Sequence, residues 1–337
     1  MIGHDRQLEI YVPELSVLTN ETIGRETGEK SDCLTLLARA DHFVRCSVKL
    51  EECLLTACGI TAGQSSEAVS TAALLACHDR NVKNFHSILC CDPVFLRSDP
   101  SRLMLFDVDS IGINETEATS LVILLNDFFQ NDGLHIWFEN PGRWFVDGLS
   151  DTSYEGISPK KLAGIPLEPD IASRKSFGSL ASIMTEAQMV LHECEINKRR
   201  ADGGKPPVNS IWLWGGGGEP FVSSPNIATL FADDIFSVSC AKFCGVVTRS
   251  VKDINFSAVP RGARGLVVIP PNNNFGESNI LLQTVIAHAI NGLKSGELTK
   301  LVVTAGRNTF LLDSGMLRRF WKRKKTMMRR ITREENK

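Results

Sequence analysis

The 337-residue sequence lacks the long apolar runs and the strong charge bias that mark membrane proteins and nucleic-acid-binding proteins. No window approaches the roughly 18 uninterrupted apolar residues of a membrane helix. The amino terminus lacks the apolar core of a signal peptide. A formal net charge of -2 argues against a globally basic surface. These absences predict a protein with no transmembrane segment and a cytoplasmic location.

The common motifs of nucleotide binding, hydrolysis and metal binding are also missing. No glycine run ends in Gly-Lys-Ser/Thr or continues as Gly-x-Gly-x-x-Gly, and Ser210 lies outside a Gly-x-Ser-x-Gly elbow. The ten cysteines contain no Cys-x-x-Cys pair, which favours buried reduced thiols. Cys240 and Cys244 share a helical spacing, but no further Cys or His pair lies near them, so we expect no zinc site. We predict no resident cofactor, and a divalent metal only if the protein is an enzyme.

Composition and periodicity divide the chain into five segments. Residues 1–30 are polar and are predicted to form a flexible arm, followed by an α+β half over residues 31–149. Residues 150–174 are rich in Ser, Pro, Lys and Gly, which is typical of a linker or an insert. Residues 175–317 alternate helices with strands and are predicted to form an α/β half. Residues 318–337 form a basic tail.

The predicted fold is α/β, with a mainly parallel mixed sheet flanked by helices. The strand Leu301 to Thr304 is expected to turn at Gly306-Arg307 into an antiparallel edge strand, Thr309 to Leu312. The other predicted elements include helices over 115–129, 180–194, near 226–231 and over 278–293, strands over 87–91, 103–106 and 211–214, and a hairpin over 134–146.

Four consecutive glycines follow the apolar strand Ile211 to Trp214. Such a run exposes N–H groups that can face an anion, or it allows another backbone to approach closely. Either this loop builds a site, or it is a flexible surface connection. We expect at least one of its glycines to take a positive φ or to lie against another backbone.

Candidate ligand-binding residues come from this loop, from a second loop predicted after residue 91, and from the end of the helix over 180–194. The structural alternatives are that Arg97 pairs with Asp92 or Asp99, that His192 only ends its helix, and that Trp212 and Trp214 pack between sheet and helix. The candidates are Asp92, Arg97, His192, Asn209, Trp214, Gly215, Gly216 and Gly217.

The carboxyl-terminal tail is predicted either to bind a polyanion or to be a solvated basic segment. The residues that would bind the polyanion are basic and have no acid between them. They are Arg318, Arg319, Lys322, Arg323, Lys324 and Lys325.

Three motifs resemble those of a bacterial family known as the RpfE-type regulatory proteins, which is cofactor-independent phosphoglycerate mutase-like. The long motif runs from Leu191-His192 through Ile196-Asn197, Arg199-Arg200 and Gly204 to Pro207–Gly217, read as PVNSIWLWGGG. The two weaker motifs are Cys91–Asp99, read as CDPVFLRSD, and Arg319–Arg323, read as RFWKR.

This resemblance implies an alkaline-phosphatase-superfamily ancestry and phosphate handling. Enzymes of that type need an early Asp-Gly metal site, a Ser or Thr nucleophile and late Asp-His ligands. Here no early apolar strand ends in Asp-Gly, and the late strand runs into Ala305-Gly306-Arg307. His288, in an apolar helix, is expected to be a packed core residue.

We therefore expect a non-catalytic regulatory or interaction protein, whose partner is an unknown protein or a phosphorylated small molecule. The alternatives are a phosphomutase or phosphatase acting on small phosphorylated metabolites, and a nucleic-acid-associated regulator that uses the basic tail.

Overall fold

The computed structural model describes residues 6–12, 37–44, 49–63, 68–77, 88–98, 102–167, 178, 180–269 and 275–319. The chain forms two compact units. The discontinuous unit combines Met1–Ile60 with Val222–Lys337, and the inserted unit is Thr61–Phe221. The boundaries therefore differ from the expected halves, because the segment 150–174 lies inside the inserted unit rather than between two domains.

The discontinuous unit contains a seven-stranded sheet in the order β12-β11-β13-β1-β14-β15-β2. The strands from β12 to β14 in this order are parallel, and β15 and β2 are antiparallel to their neighbours. This arrangement confirms the predicted mainly parallel sheet with an antiparallel edge. The strands are β1 (Gln7–Val12), β2 (Asp41–Val44), β11 (Thr229–Phe231), β12 (Val247–Arg249), β13 (Arg264–Val268), β14 (Lys300–Ala305) and β15 (Asn308–Asp313).

Strand β1 lies between β13 and β14, inside the segment predicted to be a flexible arm. The prediction was wrong for these residues because polar Gln7 and Glu9 alternate with apolar neighbours and lower the mean hydropathy of the strand. Leu8, Ile10 and Val12 are fully buried on one face. Alternation of this kind is typical of a strand with one covered face.

Three helices of the discontinuous unit are α1 (Leu50–Cys58), α8 (Ile235–Cys244) and α9 (Phe275–Ser295). Helix α9 packs its apolar side on β1, β13 and β14 in one core cluster. His288 on α9 is exposed, which corrects the expectation of a packed core histidine. The predicted helix near 226–231 is instead the buried strand β11, held between β12 and β13.

The inserted unit contains a six-stranded sheet in the order β6-β7-β4-β5-β8, with β9 paired to β4. All of these pairings are antiparallel. The strands are β4 (Leu89–Ser98), β5 (Leu103–Phe106), β6 (His135–Asn140), β7 (Arg143–Asp147), β8 (Pro166–Leu167) and β9 (Ser210–Trp214).

Strand β4 continues well past residue 91, so Asp92 and Arg97 lie within a strand and not in the predicted loop. Proline is disfavoured inside a sheet because it cannot donate to a ladder. Here β4 pairs with β7 through Leu89 and Cys90 and with β5 only from Phe95 onward. On the side of β4 that faces β7 and β5, the sheet therefore requires no hydrogen-bond donor from Pro93.

The helices of the inserted unit are α2 (Thr71–Ala76), α3 (Val108–Ile111), α4 (Glu115–Phe129), α5 (Pro159–Leu162), α6 (Leu180–His192) and α7 (Glu195–Asp202). The structure confirms the predicted helix α4, which begins with a capping box. The Glu117 N–H donates to Asn114 Oδ1, and the Asn114 N–H donates to Glu117 Oε2. The helix predicted to reach Cys194 ends at His192.

Where the chain passes between the units, β3 (Ile60–Ala62) and β10 (Pro220–Val222) form a two-stranded sheet. In the part of the chain that the structure describes, no helix combines the length and the apolar character needed to span a bilayer.

Candidate functional site

The glycine loop, Gly215–Gly218, is an internal connection whose N–H groups are all used by the protein itself. The Gly215 N–H donates to the Glu155 carbonyl, and that of Gly216 donates to the Tyr154 carbonyl at 3.0 Å. The Gly217 N–H donates to Thr152 O at 2.9 Å, and the Gly218 N–H donates to Ala68 O at 2.8 Å. The prediction that these N–H groups face an anion is therefore wrong, as is the alternative of a flexible surface connection, since Gly215 and Gly216 are buried.

The loop needs glycine for two separate reasons. Gly215 and Gly217 take φ values of 79° and 141°, which L side chains rarely adopt. At Gly216 the obstacle is steric, because a Cβ would lie 2.1 Å from the Thr152 carbonyl oxygen. The prediction of a positive φ or a close backbone contact is confirmed at all three residues.

Ser70, at the start of α2, holds the loop from its other side. Its N–H donates to Gly218 O at 2.9 Å, and its hydroxyl donates to Gly215 O at 3.2 Å. Ala72 N–H donates to the same Gly215 carbonyl at 2.7 Å. The loop is thus bonded on two sides, to the segment around residues 152–155 and to the start of α2.

The second candidate region is a buried cluster around Asp92 on β4. The Oδ2 of Asp92 accepts hydrogen bonds from Arg143 Nη1 at 2.8 Å and from Trp214 Nε1 at 2.9 Å. Its Oδ1 accepts from Trp144 N at 3.2 Å. The Arg143 guanidinium carbon lies 4.8 Å from the centre of the Trp214 ring, a cation–π distance. The cluster joins β4, β7 and β9.

Burial raises the pKa of Asp92 to about 6, although Arg143, Trp214 and the Trp144 N–H all favour the charged form. A raised carboxyl pKa in a cleft can indicate an acid–base catalyst. Here the carboxylate is 4% exposed, and both of its oxygens accept protein donors. The contacts therefore favour a structural role, in which Asp92 fixes Arg143 and Trp214.

Arg143 was missed by the sequence reasoning. It is the first residue of β7, directly after the Pro141-Gly142 turn of the predicted hairpin. A cation directly before the apolar run Trp144 to Val146 was the available signal, since such a residue needs a nearby acid when it is covered. The partner, Asp92, is 51 positions away in the sequence.

The remaining candidates do not gather around this cluster. Arg97 is exposed near the end of β4, with its guanidinium 5.2 Å from the centre of the Phe106 ring, so Asp92 is not its partner. Asp99 lies outside the described residues. His192 is exposed at the last residue of α6. Asn209 bonds to both backbone groups of one residue of β4: its Oδ1 accepts from Leu96 N and its Nδ2 donates to Leu96 O, both at 2.8 Å.

Two further residues of the long motif stabilise the same unit. Asn197 donates to the Leu191 and Val208 carbonyls at 2.7 and 2.8 Å, and its Oδ1 accepts from Val208 N. The buried Arg200 donates to Glu117 Oε2 at 2.6 Å and also to the Ile111 and Pro206 carbonyls. These motif residues therefore stabilise the segment that leads into β9 more than they line a ligand pocket.

Only the first two residues of the predicted polyanion-binding tail are described. Arg319 Nη1 donates to Asp41 Oδ1 at 2.6 Å, so this cation is engaged within the discontinuous unit. Arg318 closes a short 3₁₀ turn. Lys322, Arg323, Lys324 and Lys325 lie outside the described residues, and polyanion binding there stays a prediction.

Comparison with known proteins places the chain near cofactor-independent phosphoglycerate mutases. It is 26% identical over 164 residues to 2,3-bisphosphoglycerate-independent phosphoglycerate mutase 1 of Archaeoglobus fulgidus, covering 49% of this chain and 36% of that protein. It is 27% identical over 118 residues to mutase 2 of Methanothermobacter thermautotrophicus, covering 34% and 29%. The matched segments thus span about a third of these relatives. No family model matches the chain.

The PH0037 protein of Pyrococcus horikoshii shares the fold. Its solved structure aligns with 96% of this chain and 91% of its own, with a TM-score of 0.54 and 13% identity. The chain therefore shares a mixed α/β fold, with sheets flanked by helices, with that structure, and it has weak homology to the mutases over part of its length. The RpfE-type assignment goes beyond these matches.

Proposed function

We propose that this protein is a phosphoglycerate mutase-like protein without mutase activity, acting as a regulatory or interaction protein of the RpfE type. One observation carries the proposal: the carboxyl ends of β1 and β14 bear apolar side chains. Val12 and Ala305 end these strands, and both are fully buried. In an α/β sheet the carboxyl ends of the parallel strands are where ligands bind.

The described side chains at these two strand ends do not fit a metal centre. The resemblance to the mutases implies Asp-Gly after an early strand and Asp-His after a late one. Here Gly306 follows β14 with φ 55° and turns the chain into β15, and its N–H donates to Val12 O at 3.2 Å. Valine and alanine side chains have no metal-ligating atom, so no phosphoryl-transfer step is assigned to them.

Two carboxylates do follow a parallel strand: Asp233 and Asp234 come soon after β11. Asp233 Oδ2 accepts from Val251 N at 3.3 Å, and Asp234 Oδ1 accepts from Ser237 N at 2.9 Å as the N-cap of α8. Among the described residues, no group of three or more His, Cys, Asp or Glu side chains is arranged to hold a metal ion. The two carboxylates therefore support a turn and a helix cap.

The test is a mutase assay on the purified protein with manganese, zinc or magnesium, beside an active archaeal mutase as the positive control. We expect no turnover above the no-protein blank. A matched variant, Asp233→Asn with Asp234→Asn, separates the chain's own activity from a contaminant. Turnover that a chelator abolishes, and that the double variant lacks, would overturn the proposal in favour of a phosphomutase or phosphatase.

A further inference from the structure

The seven-stranded sheet of the discontinuous unit has one covered face and one face that is partly exposed near β2. Val303 and Phe310 point to the covered face and are buried in the core that α9 shares. Residues one position along the same strands point to the other face. On that face Phe43 is 53% exposed, and Val302 and Leu311 are only partly buried.

These three apolar side chains line a groove of about 530 Å³, which we call the sheet groove. Strand pairing explains why they lie together: Leu311 on β15 is opposite Val302 on β14, and Thr309 on β15 is opposite Phe43 on β2. All residues of the groove belong to the discontinuous unit. Its remaining lining residues are polar, namely Glu9, Arg264, Lys300 and Thr309.

The described part of the chain ends beside this groove. Asp41 on β2 is opposite Leu311 on β15, so the two side chains lie on the same face of the sheet. Arg319 Nη1 donates to Asp41 Oδ1 at 2.6 Å, which places the end of the Arg319 side chain on that face. The next residues in the sequence are Phe320 and Trp321. Two aromatic side chains therefore follow directly on a residue that is bound at the edge of the groove.

The apolar residues of the groove are within reach of these two side chains. Neighbouring strands are about 4.8 Å apart, so Leu311 lies about 5 Å and Val302 about 10 Å from Asp41. Two extended residues span up to about 7 Å, and an aromatic side chain adds further length. The first two residues after Arg319 are thus long enough to cover both apolar side chains.

The charges of the groove limit how much of the tail can enter it. Glu9, the acid among the lining residues, pairs with Arg264 at 3.0 Å, and Lys300 lines the same groove. Lys322 and Arg323 would meet these two cations with like charge, which is repulsive. The groove therefore suits the aromatic pair and not the basic run that follows it.

We propose that Phe320 and Trp321 dock in the sheet groove and so fix the start of the basic run, residues 322–325, beside β2. Docking removes apolar surface of Phe43 and Leu311 from water, which stabilises the docked state. Because Arg319 is already bound to Asp41, only two further residues have to be ordered, and the entropy cost is correspondingly small. The contact forms within one chain.

The test is the fluorescence of Trp321, because the other four tryptophans lie in the inserted unit. The emission of the full-length protein minus that of Trp321→Phe gives the spectrum of this one indole. We expect the difference spectrum to be blue-shifted and protected from acrylamide quenching. Phe43→Ser should shift it to the red and remove the protection. The matched control is Ile280→Ser, which should change neither, since Ile280 is 54% exposed on α9, the helix that packs on the opposite face.

Circular dichroism checks the folding of each variant, and Leu311→Thr, a β-branched replacement on β15, serves as the groove variant where Phe43→Ser does not fold. A difference spectrum typical of an indole in water overturns the proposal. A blue-shifted spectrum that the groove variant leaves unchanged also overturns it, because Trp321 then docks elsewhere. A blue shift that disappears on dilution while a dimer dissociates in sedimentation means that a second copy supplies the contact, and it overturns docking within one chain.

Discussion

A single carboxylate, Asp92, holds three strands of the inserted unit through contacts with Arg143, Trp144 and Trp214. Its neighbours in the sequence are apolar, and its cost of burial is offset by this set of donors. Replacing one of its oxygens by an amide NH2 group would leave a donor of Arg143, whose side chain is 20% exposed, or of Trp144 without an acceptor. Asp92 thus contributes to the fold through the residues it positions.

We expect Asp92→Asn to lower the free energy of unfolding at pH 7 by about 1 to 3 kcal/mol, less than for a fully covered pair because Arg143 reaches solvent. Asp109→Asn, whose 3.8 Å ion pair with Lys160 is exposed, should change stability by less than about 0.5 kcal/mol. Urea unfolding measures both variants. Equal effects would contradict the structural role of Asp92.

The same residue predicts a pH dependence. Its carboxyl titrates near 3.8 when unfolded and at about 6 in the native state, so the native state binds more protons in between. Its contribution to stability is complete below about pH 3.8 and is lost as the pH rises through about 6. The stability gap between the wild type and Asp92→Asn should therefore widen as the pH falls from 7 towards 4. A gap that stays constant would contradict the raised pKa.

At the scale of elements, the glycine loop connects β9 to β10, and a Cβ at Gly216 or Gly217 would lie 2.1 or 2.7 Å from a backbone carbonyl oxygen. Gly216 has an ordinary φ but faces the Thr152 carbonyl, whereas Gly164 has φ 74° with open space around it. These two glycines separate the steric cost of a methyl group from the cost of a left-handed backbone.

We expect Gly216→Ala to destabilise the protein by about 2 to 3 kcal/mol, because a backbone segment must move. Gly164→Ala should cost only about 1 kcal/mol, from backbone conformation alone. Thermal and urea unfolding of both variants measure the difference. Similar losses would show that the Thr152 segment yields easily and that the loop is less constrained than its contacts indicate.

The elements that could be predicted from sequence are those with local signals. Helix α4 carries its own cap, with Asn114 and Glu117 three positions apart, and the β14–β15 hairpin carries Gly306 at its turn. Strands β1 and β11 carry no such signal, because their stability comes from partners far along the chain. The Asp92–Arg143 pair was missed for the same reason, since neither residue indicates the other locally.

At the scale of the whole molecule, the sheet of the discontinuous unit is built from both ends of the chain. Strand β1 pairs with β13 through Gln7–Tyr11 and with β14 through Gln7–Val12, so it fills the space between two strands from beyond the insertion. The inserted unit takes all the strands of its six-stranded sheet from one continuous segment. The two units therefore depend differently on an intact chain.

This difference predicts that a fragment of residues 61–221 folds alone, whereas a fragment of residues 222–337 does not. The first retains its complete sheet, while the second loses β1 from between β13 and β14 and exposes the edges of these two strands. The tryptophans of the first fragment report directly on its folding, because they are buried in the native unit. They are Trp137, Trp144, Trp212 and Trp214.

For the fragment of residues 61–221, we expect blue-shifted fluorescence and a single cooperative transition in urea. For the fragment of residues 222–337, circular dichroism should show no cooperative melting, and adding back residues 1–60 should restore it, because that segment supplies β1 and β2. Unfolded-like emission from the first fragment would mean that the inserted unit needs the rest of the chain. Cooperative melting of the second fragment alone would mean that β13 and β14 do not require β1 between them.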